Sequence, residues 1–485
     1  MPTGISGLDQ VLKGGFTCGS LVIINGGPGT GKTVFGNQIC FNQARLSQQA
    51  AIYVVFLSES KDQMIQYVSR FSFFNATQVG RKVIYLDSSS VLENEGLDGL
   101  LHLLQETVIR MNASILILDG IASLEDRAEN PGDFKKFVHS LHIFGPMSGC
   151  TTFLLRSKLN RNIYPEDAIA DSIISFNNVT KSAAMLRRME VGKLRGSSYL
   201  SGKHSLEIGE QGMHIYPRIE ELYAHPSEAT DDITTRLRFG IPKLDDMTNG
   251  GIFRGSATTI LGAPGTGKTL LGLTFLEEGA RQGEPGIYFG CYEPPQRLLA
   301  KAGKIGIEVE RFQARGLLHF IWQPALQRKN IDAIAEQLLN EVQAVKARRV
   351  FIDGIEVFKS GALHPSRVGT FLSALTNRLR SLGATSVFSE ETPIFTREIE
   401  MPVQDLAAVL ENIIFLRFVE MGAQLRRLIA ILKMRESGYN PLFHELDISD
   451  QGFAIHDTFR EVTSVLTGVA RPANPSMLQP STKDE

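Results

Sequence analysis

Two copies of one glycine-rich pattern fix most of what this chain can fold into. Gly26-Gly27-Pro28-Gly29-Thr30-Gly31-Lys32-Thr33 follows the apolar run Leu21-Val22-Ile23-Ile24, and Gly262-Ala263-Pro264-Gly265-Thr266-Gly267-Lys268-Thr269 follows Ala257-Thr258-Thr259-Ile260-Leu261. Both fit G-x-x-x-x-G-K-[ST] in the strand-to-helix setting that a P-loop requires. The glycines let the backbone curl until successive N–H groups point at phosphates, the lysine reaches the terminal phosphates, and the threonine hydroxyl ligates Mg²⁺. A ligand-free glycine-rich turn would explain one match, but not two in equivalent settings. The expected ligand is a nucleoside triphosphate with Mg²⁺, held twice per chain.

The repetition reaches beyond the loops. Gly4-Ile5-Ser6-Gly7-Leu8-Asp9 with Gly14-Gly15 recurs as Gly240-Ile241-Pro242-Lys243-Leu244-Asp245 with Gly250-Gly251, at the offset that separates Gly31 from Gly267. Downstream, Ile115-Leu116-Ile117-Leu118 ends in Asp119-Gly120, and Arg349-Val350-Phe351-Ile352 ends in Asp353-Gly354. An aspartate closing a buried strand beside a P-loop is the expected Walker B acid, holding Mg²⁺ through water. A lone aspartate there would more simply start a turn, but recurrence at nearly the same distance from both loops favours the metal role for Asp119 and Asp353, with Thr33 and Thr269. Between these points, Ile52-Tyr53-Val54-Val55-Phe56 leads to Glu59 and Ile287-Tyr288-Phe289-Gly290 leads to Glu293. A carboxylate at such a strand end can orient or deprotonate the attacking water; the plainer alternative is a solvated glutamate opening the next helix. Glu59 and Glu293 are therefore the candidate catalytic carboxylates, alongside Lys32 and Lys268.

The repeat divides the 485 residues into domains at 1–232 and 233–470, each large enough to bury its own core. Pro217 to Arg236, polar and punctuated by proline, reads as the connection. Residues 471–485, rich in Pro and Ser, read as a mobile tail. Helical patterns at Leu97 to Met111 and Ile331 to Val345 alternate with the apolar runs, so each domain is expected to be α/β with a mostly parallel sheet. Basic and acidic residues nearly balance, 50 against 52, which argues against nucleic acid as a partner. The clusters Arg187-Arg188 and Arg426-Arg427 are expected on solvated faces or interfaces. Cys18, Cys40, Cys150 and Cys291 have no metal spacing and read as reduced core thiols. No transmembrane run or signal segment stands out, so the expected location is the cytoplasm, with no membrane contact.

With these residues assembled, the chain resembles the double-domain KaiC ATPases of the RecA/RadA superfamily over roughly residues 3 to 460. Glu190-Val191-Gly192-Lys193-Leu194-Arg195-Gly196-Ser197 and Ala430-Ile431-Leu432-Lys433-Met434-Arg435-Glu436-Ser437 are similar to that family's K-[LM]-R-G element, and Ile208-Gly209-Glu210-Gln211-Gly212 and Ile448-Ser449-Asp450-Gln451-Gly452 close each repeat in its manner. The resemblance implies two tandem RecA-like P-loop NTPase domains and a homo-hexameric ring with ATP at the subunit interfaces. It also implies that Lys193 with Arg195, and Lys433 with Arg435, reach the neighbour's nucleotide and stabilise charge on its γ-phosphate. The bland reading of these charges is the exposed face of a strand.

Departures from the family pattern shape the functional expectation. Where the family often has paired glutamates, Ser58-Glu59 and Tyr292-Glu293 keep only the second, and Glu436 replaces the glycine of the second K-[LM]-R-G copy. Clock kinase members carry an adjacent Ser-Thr phosphoacceptor pair, and the corresponding places here hold Ala407-Ala408, with Thr392 and Thr396 the nearby hydroxyls. The leading expectation is a KaiC-like ATPase acting on signalling partners. The alternatives are a serine/threonine protein kinase, a RecA-like DNA-dependent ATPase, and a scaffold that uses ATP only to hold its ring together.

Overall fold

A computed structural model describes residues 1–47, 49–56, 61–128, 130–157, 164–181, 184–224, 234–324, 330–362, 364–393, 409–421, 424–457, 462–463 and 471–472. The chain separates into two compact units, Met1–Leu222 and Tyr223–Glu485. The first holds β1 (Leu21–Gly26), β2 (Ala50–Val55), β3 (Val83–Leu86), β4 (Ala113–Asp119), β5 (Thr151–Arg156), β6 (Ser172–Lys181), β7 (Ala184–Leu194), β8 (Lys203–Gly209) and β9 (Gly212–Tyr216) in one sheet of order β3-β2-β4-β5-β1-β6-β7-β8-β9. The second unit opens with the short pair β10 (Arg236–Leu237) and β11 (Ile252–Phe253). It then repeats the large sheet with β12 (Ala257–Gly262), β13 (Gly286–Gly290), β14 (Leu318–Trp322), β15 (Arg349–Asp353), β16 (Thr385–Glu391), β17 (Asn412–Met421), β18 (Gln424–Met434), β19 (His444–Ser449) and β20 (Gly452–His456), in the order β14-β13-β15-β16-β12-β17-β18-β19-β20. Six strands of each sheet run parallel, and the last three add on antiparallel. This is the tandem RecA-like α/β arrangement.

Continuous apolar runs form the central strands because both faces of a parallel sheet are covered by helices. Val22, Ile24, Ile115 and Ile117 pack on one face with Phe35 and Ile39 of the helix Lys32–Leu46. Ile23, Ile52, Leu116 and Leu118 pack on the other with Leu100, Leu104, Phe137 and Leu141. The helix Ile331–Val345 has the bounds its periodicity indicates. Its first-repeat counterpart starts earlier than expected, at Ser89, and breaks at Gly96 (φ 65°, ψ −154°), a conformation glycine takes at little cost.

Other expectations need correction. Pro217 to Leu222 is not free linker, since Ile219–Leu222 is helical and Ile219 is buried. Cys18 is exposed, whereas Cys40, Cys150 and Cys291 are core thiols. Arg471–Pro472 pairs antiparallel with Val462–Thr463; the rest of the expected tail, 473–485, and 225–233 of the expected connection lie outside the described residues. Among the described residues no helix is long and apolar enough to cross a membrane.

Candidate nucleotide sites

Each P-loop leaves the carboxyl end of a central strand. β1 lies between β5 and β6, and β12 between β16 and β17, so both loops emerge where neighbouring connections diverge and a ligand can reach backbone amides. Gly31 (φ 103°) and Gly267 (φ 107°) turn the chain into the following helix, and a Cβ on either would come within 2.5 Å of Ile208 Cδ1 or Ile448 Cδ1 respectively. Only glycine fits there.

The two loops carry matching side-chain contacts. Thr30 and Thr266 Oγ1 donate to the carbonyls of Gly27 and Ala263, each at 2.8 Å. Lys32 Nζ donates to the Gly26 and Gly27 carbonyls at 2.7 and 3.0 Å, and Lys268 Nζ to those of Gly262 and Ala263 at 2.8 and 3.0 Å. Both ammonium groups are buried, and desolvation pulls their pKa values down. Thr33 Oγ1 donates to Asp119 Oδ2, and Thr269 Oγ1 to Asp353 Oδ2, both at 2.9 Å. A threonine hydroxyl touching a strand-end carboxylate supplies only hard oxygen donors, which suits Mg²⁺ shared with phosphates and water. Among the described residues no group of three His, Cys, Asp or Glu side chains forms a metal cage of protein ligands alone.

A tyrosine completes each constellation, and sequence reasoning missed it. Tyr53 OH donates to Asp119 Oδ2 at 2.7 Å and Tyr288 OH to Asp353 Oδ2 at 2.9 Å. Burial, then the aspartate charge, holds both phenols un-ionised. The signal was available, because both tyrosines occupy the same place in the repeated strand motif. Ser389 Oγ also donates to Asp353 Oδ1, at 2.7 Å, in the second repeat.

Glu59 and Ser58 lie outside the described residues. Glu293 lines a cavity of about 400 Å³ together with Lys268, Thr269, Tyr292, Asp353 and Glu391. Its carboxylate is paired with Lys301 Nζ at 3.3 Å.

The strand beside each P-loop strand ends in opposite charge. β1 pairs Asn25 with Arg156, and β12 pairs Leu261 with Glu390, at equivalent registers. Arg156 is fully buried, donates to Asp167 Oδ1 at 2.9 Å and to Glu166, lies 3.7 Å from Glu125, and stacks 4.2 Å from the Tyr164 ring centre. At Glu390 the polarity is reversed, and Lys359 donates to its buried carboxyl. Burial and then Glu356 push the Glu390 pKa up to about 7, against the pull of Lys359.

The K-[LM]-R pairs do not join the P-loop of their own repeat. Lys193 is registered with Ile173, and Gly26 with Phe176, so the lysine backbone lies about 10 Å down the sheet at about 3.3 Å per residue. Lys193 Nζ donates to the carbonyls of Asp167 (3.0 Å) and Ala168 (3.2 Å), and Arg195 to that of Ala168 at 3.1 Å. Lys433 is registered with Ile413 and donates to the Leu410 carbonyl at 2.7 Å, while the Arg435 backbone N–H donates to the Glu411 carbonyl at 3.1 Å. Glu436 takes a left-handed φ of 64°, which Gly196 adopts freely in the first copy (φ 78°). The arginine clusters also differ from expectation. Arg188 is buried, and Arg187 and Arg427 reach the Gly29 and Gly265 carbonyls at 3.1 and 3.4 Å, so the second arginine pair and the first both brace P-loops from within their own repeat. Ala407, Ala408 and Thr396 lie outside the described residues, and Thr392 N–H anchors the end of β16 on the Gly262 carbonyl at 3.1 Å.

A family model described as ATPase: KaiC matches residues 1–220 and 237–459. Circadian clock oscillator protein KaiC of Picosynechococcus sp. is 26% identical over 96% of this chain and 91% of its own length. The proteins of that name from Parathermosynechococcus lividus and Prochlorococcus marinus are 26% and 24% identical, each over 96% of this chain and over 87% and 95% of their own lengths.

Proposed function

The chain belongs to the KaiC family of ATPases, and from that premise we propose that it binds Mg-ATP at both P-loops, hydrolyses it, and uses the cycle to change its contacts with signalling partners as a cytoplasmic homo-hexamer. The observation that carries the reading is the doubled constellation of P-loop lysine, threonine, strand-end aspartate and tyrosine. Gly26 to Thr33 and Gly262 to Thr269 wrap the phosphates. Lys32 and Lys268 exchange their carbonyl contacts for the β- and γ-phosphates, a swap that burial favours because each ammonium gains an anion. Thr33 with Asp119, and Thr269 with Asp353, would hold Mg²⁺, which when bound neutralises charge on the β- and γ-phosphates. Glu59 and Glu293 follow the strands beside the Walker B strands and orient the attacking water.

Lys193 and Arg195, and Lys433 and Arg435, are assigned to the nucleotide of the adjacent subunit. Their position down the sheet from their own P-loop supports that assignment, because a side chain fixed there serves its own site poorly. Replacing Lys32 or Lys268 by Ala tests the nucleotide reading. Each variant is expected to retain one ATP per chain where the parent holds two, as counted on the isolated protein, and a count of two in both variants would overturn the site assignment.

A further inference from the structure

We propose that Glu391 is the carboxylate that takes the proton from the attacking water in the second repeat. The inference rests on the hydrolase reading of that site and concerns which group does the work there. Two carboxylates besides Asp353 face the cavity that holds Lys268 and Thr269. Glu293, the one indicated by its strand-end position, is engaged by Lys301 at 3.3 Å, a contact that restricts its reach toward the phosphates. Glu391 carries no such tether. Among the described residues no cation lies within ion-pair distance of its carboxylate, and Glu391 lines the same cavity as Lys268 and Thr269.

The strand end that carries Glu391 is also fixed. Its backbone N–H donates to Glu356 Oε1 at 3.1 Å, and the next N–H, that of Thr392, donates to the first P-loop residue, Gly262, at 3.1 Å. A carboxylate on a strand tied directly to the loop that grips the phosphates stays in register with them. The first repeat has Ser157 at the equivalent strand end, after Arg156, so this base belongs to the second repeat alone. Tyr292, the residue before Glu293, lays its ring over Gly354 at the mouth of the same cavity and offers no carboxylate there.

In the step proposed, the water oxygen forms a bond to the γ-phosphorus as the bond from that phosphorus to the β,γ-bridging oxygen breaks. ADP leaves with the bridging oxygen, the water proton passes to the Glu391 carboxylate, and the carboxyl later returns it to solvent. Little covalent assistance is needed in a loose transition state, so the loss on removing the base should sit in the range of general-base effects.

The test uses the full chain carrying Lys32→Ala, so that released phosphate reports the second repeat. In that background Glu391→Gln is expected to lower kcat for phosphate release about 10²-fold with bound ATP per chain unchanged. Glu391→Asp should recover part of the rate, and Glu293→Gln should lose less than Glu391→Gln. An equal or larger loss in Glu293→Gln, or a Glu391→Gln rate within twofold of the parent, overturns the proposal. If the Lys32→Ala parent binds ATP but releases no phosphate, the hydrolase reading of the second repeat falls first, and the proposal falls with it.

Discussion

The exchange of Arg156 for Glu390 at equivalent strand ends shows how far two copies of one frame can diverge at single residues. Arg156 is buried among Glu125, Glu166 and Asp167, and removing the cation would leave their charge uncompensated. Glu390 instead sits against Glu356 with Lys359 on its other side, and its proton is retained up to about pH 7 in the folded chain. The sign of the linkage is the reverse of the usual carboxylate case. The unfolded chain releases this proton near its ordinary value of 4.5, so between there and about 7 the native state binds more protons and stability falls as pH rises. Glu390→Gln should flatten that slope, which is worth about 3 kcal/mol at about 1.4 kcal/mol per pKa unit for the coupled pair. Urea melts of parent and variant between pH 5 and 8 measure it, and curves that stay parallel would show that Glu390 is ionised throughout.

Between residue and fold, the helix after each P-loop crosses its Walker B strand at a glycine. A Cβ on Gly272 would come within 2.3 Å of the Phe351 ring, whereas one on Gly36 would meet Tyr53 and Ile117 at 3.0 and 3.2 Å. Gly272→Ala should therefore cost about 1–3 kcal/mol as an overpacked contact, and Gly36→Ala distinctly less, both read as shifts in denaturation midpoint. Equal midpoints would mean that Phe351 turns aside freely. Elements of this kind were legible in the sequence because their causes are local. β1, β4, β12 and β15 are apolar runs bounded by glycine or aspartate, and Ile331–Val345 follows its own period. The parts that stayed hidden depend on residues distant in the chain. Arg156 is balanced by Glu125, on another segment, besides Glu166 and Asp167 just beyond its strand, and the bracing of P-loops by Arg187 and Arg427 comes from strands far downstream. Tyr53 and Tyr288 were visible but uninterpreted, since a tyrosine in a strand is usually core.

At the scale of the whole molecule, the proposed ring follows from a mismatch between where charge is needed and where each repeat supplies it. A transferring γ-phosphate needs cations beyond the P-loop lysine, yet Arg187 is engaged on the Gly29 carbonyl, and Lys193 and Arg195 are tied to the Asp167 and Ala168 carbonyls, down the sheet from Gly26. A neighbouring copy resolves the mismatch if it presents this edge to the P-loop, and the bound nucleotide then becomes part of the interface. Native mass should accordingly rise from smaller species to a hexamer when Mg-ATP is added and fall when it is removed. Arg195→Ala should lose about 10³ to 10⁵ in first-repeat turnover, the range of an arginine finger, while keeping ATP bound. Lys32→Ala chains lack the loop contact but keep the finger pair, so mixing them with Arg195→Ala chains should restore some first-repeat hydrolysis in clefts that pair an intact P-loop with an intact finger. Activity that never returns in the mixture, from subunits shown by mass to co-assemble, would place Arg195 in service of its own chain and remove the reason for the ring.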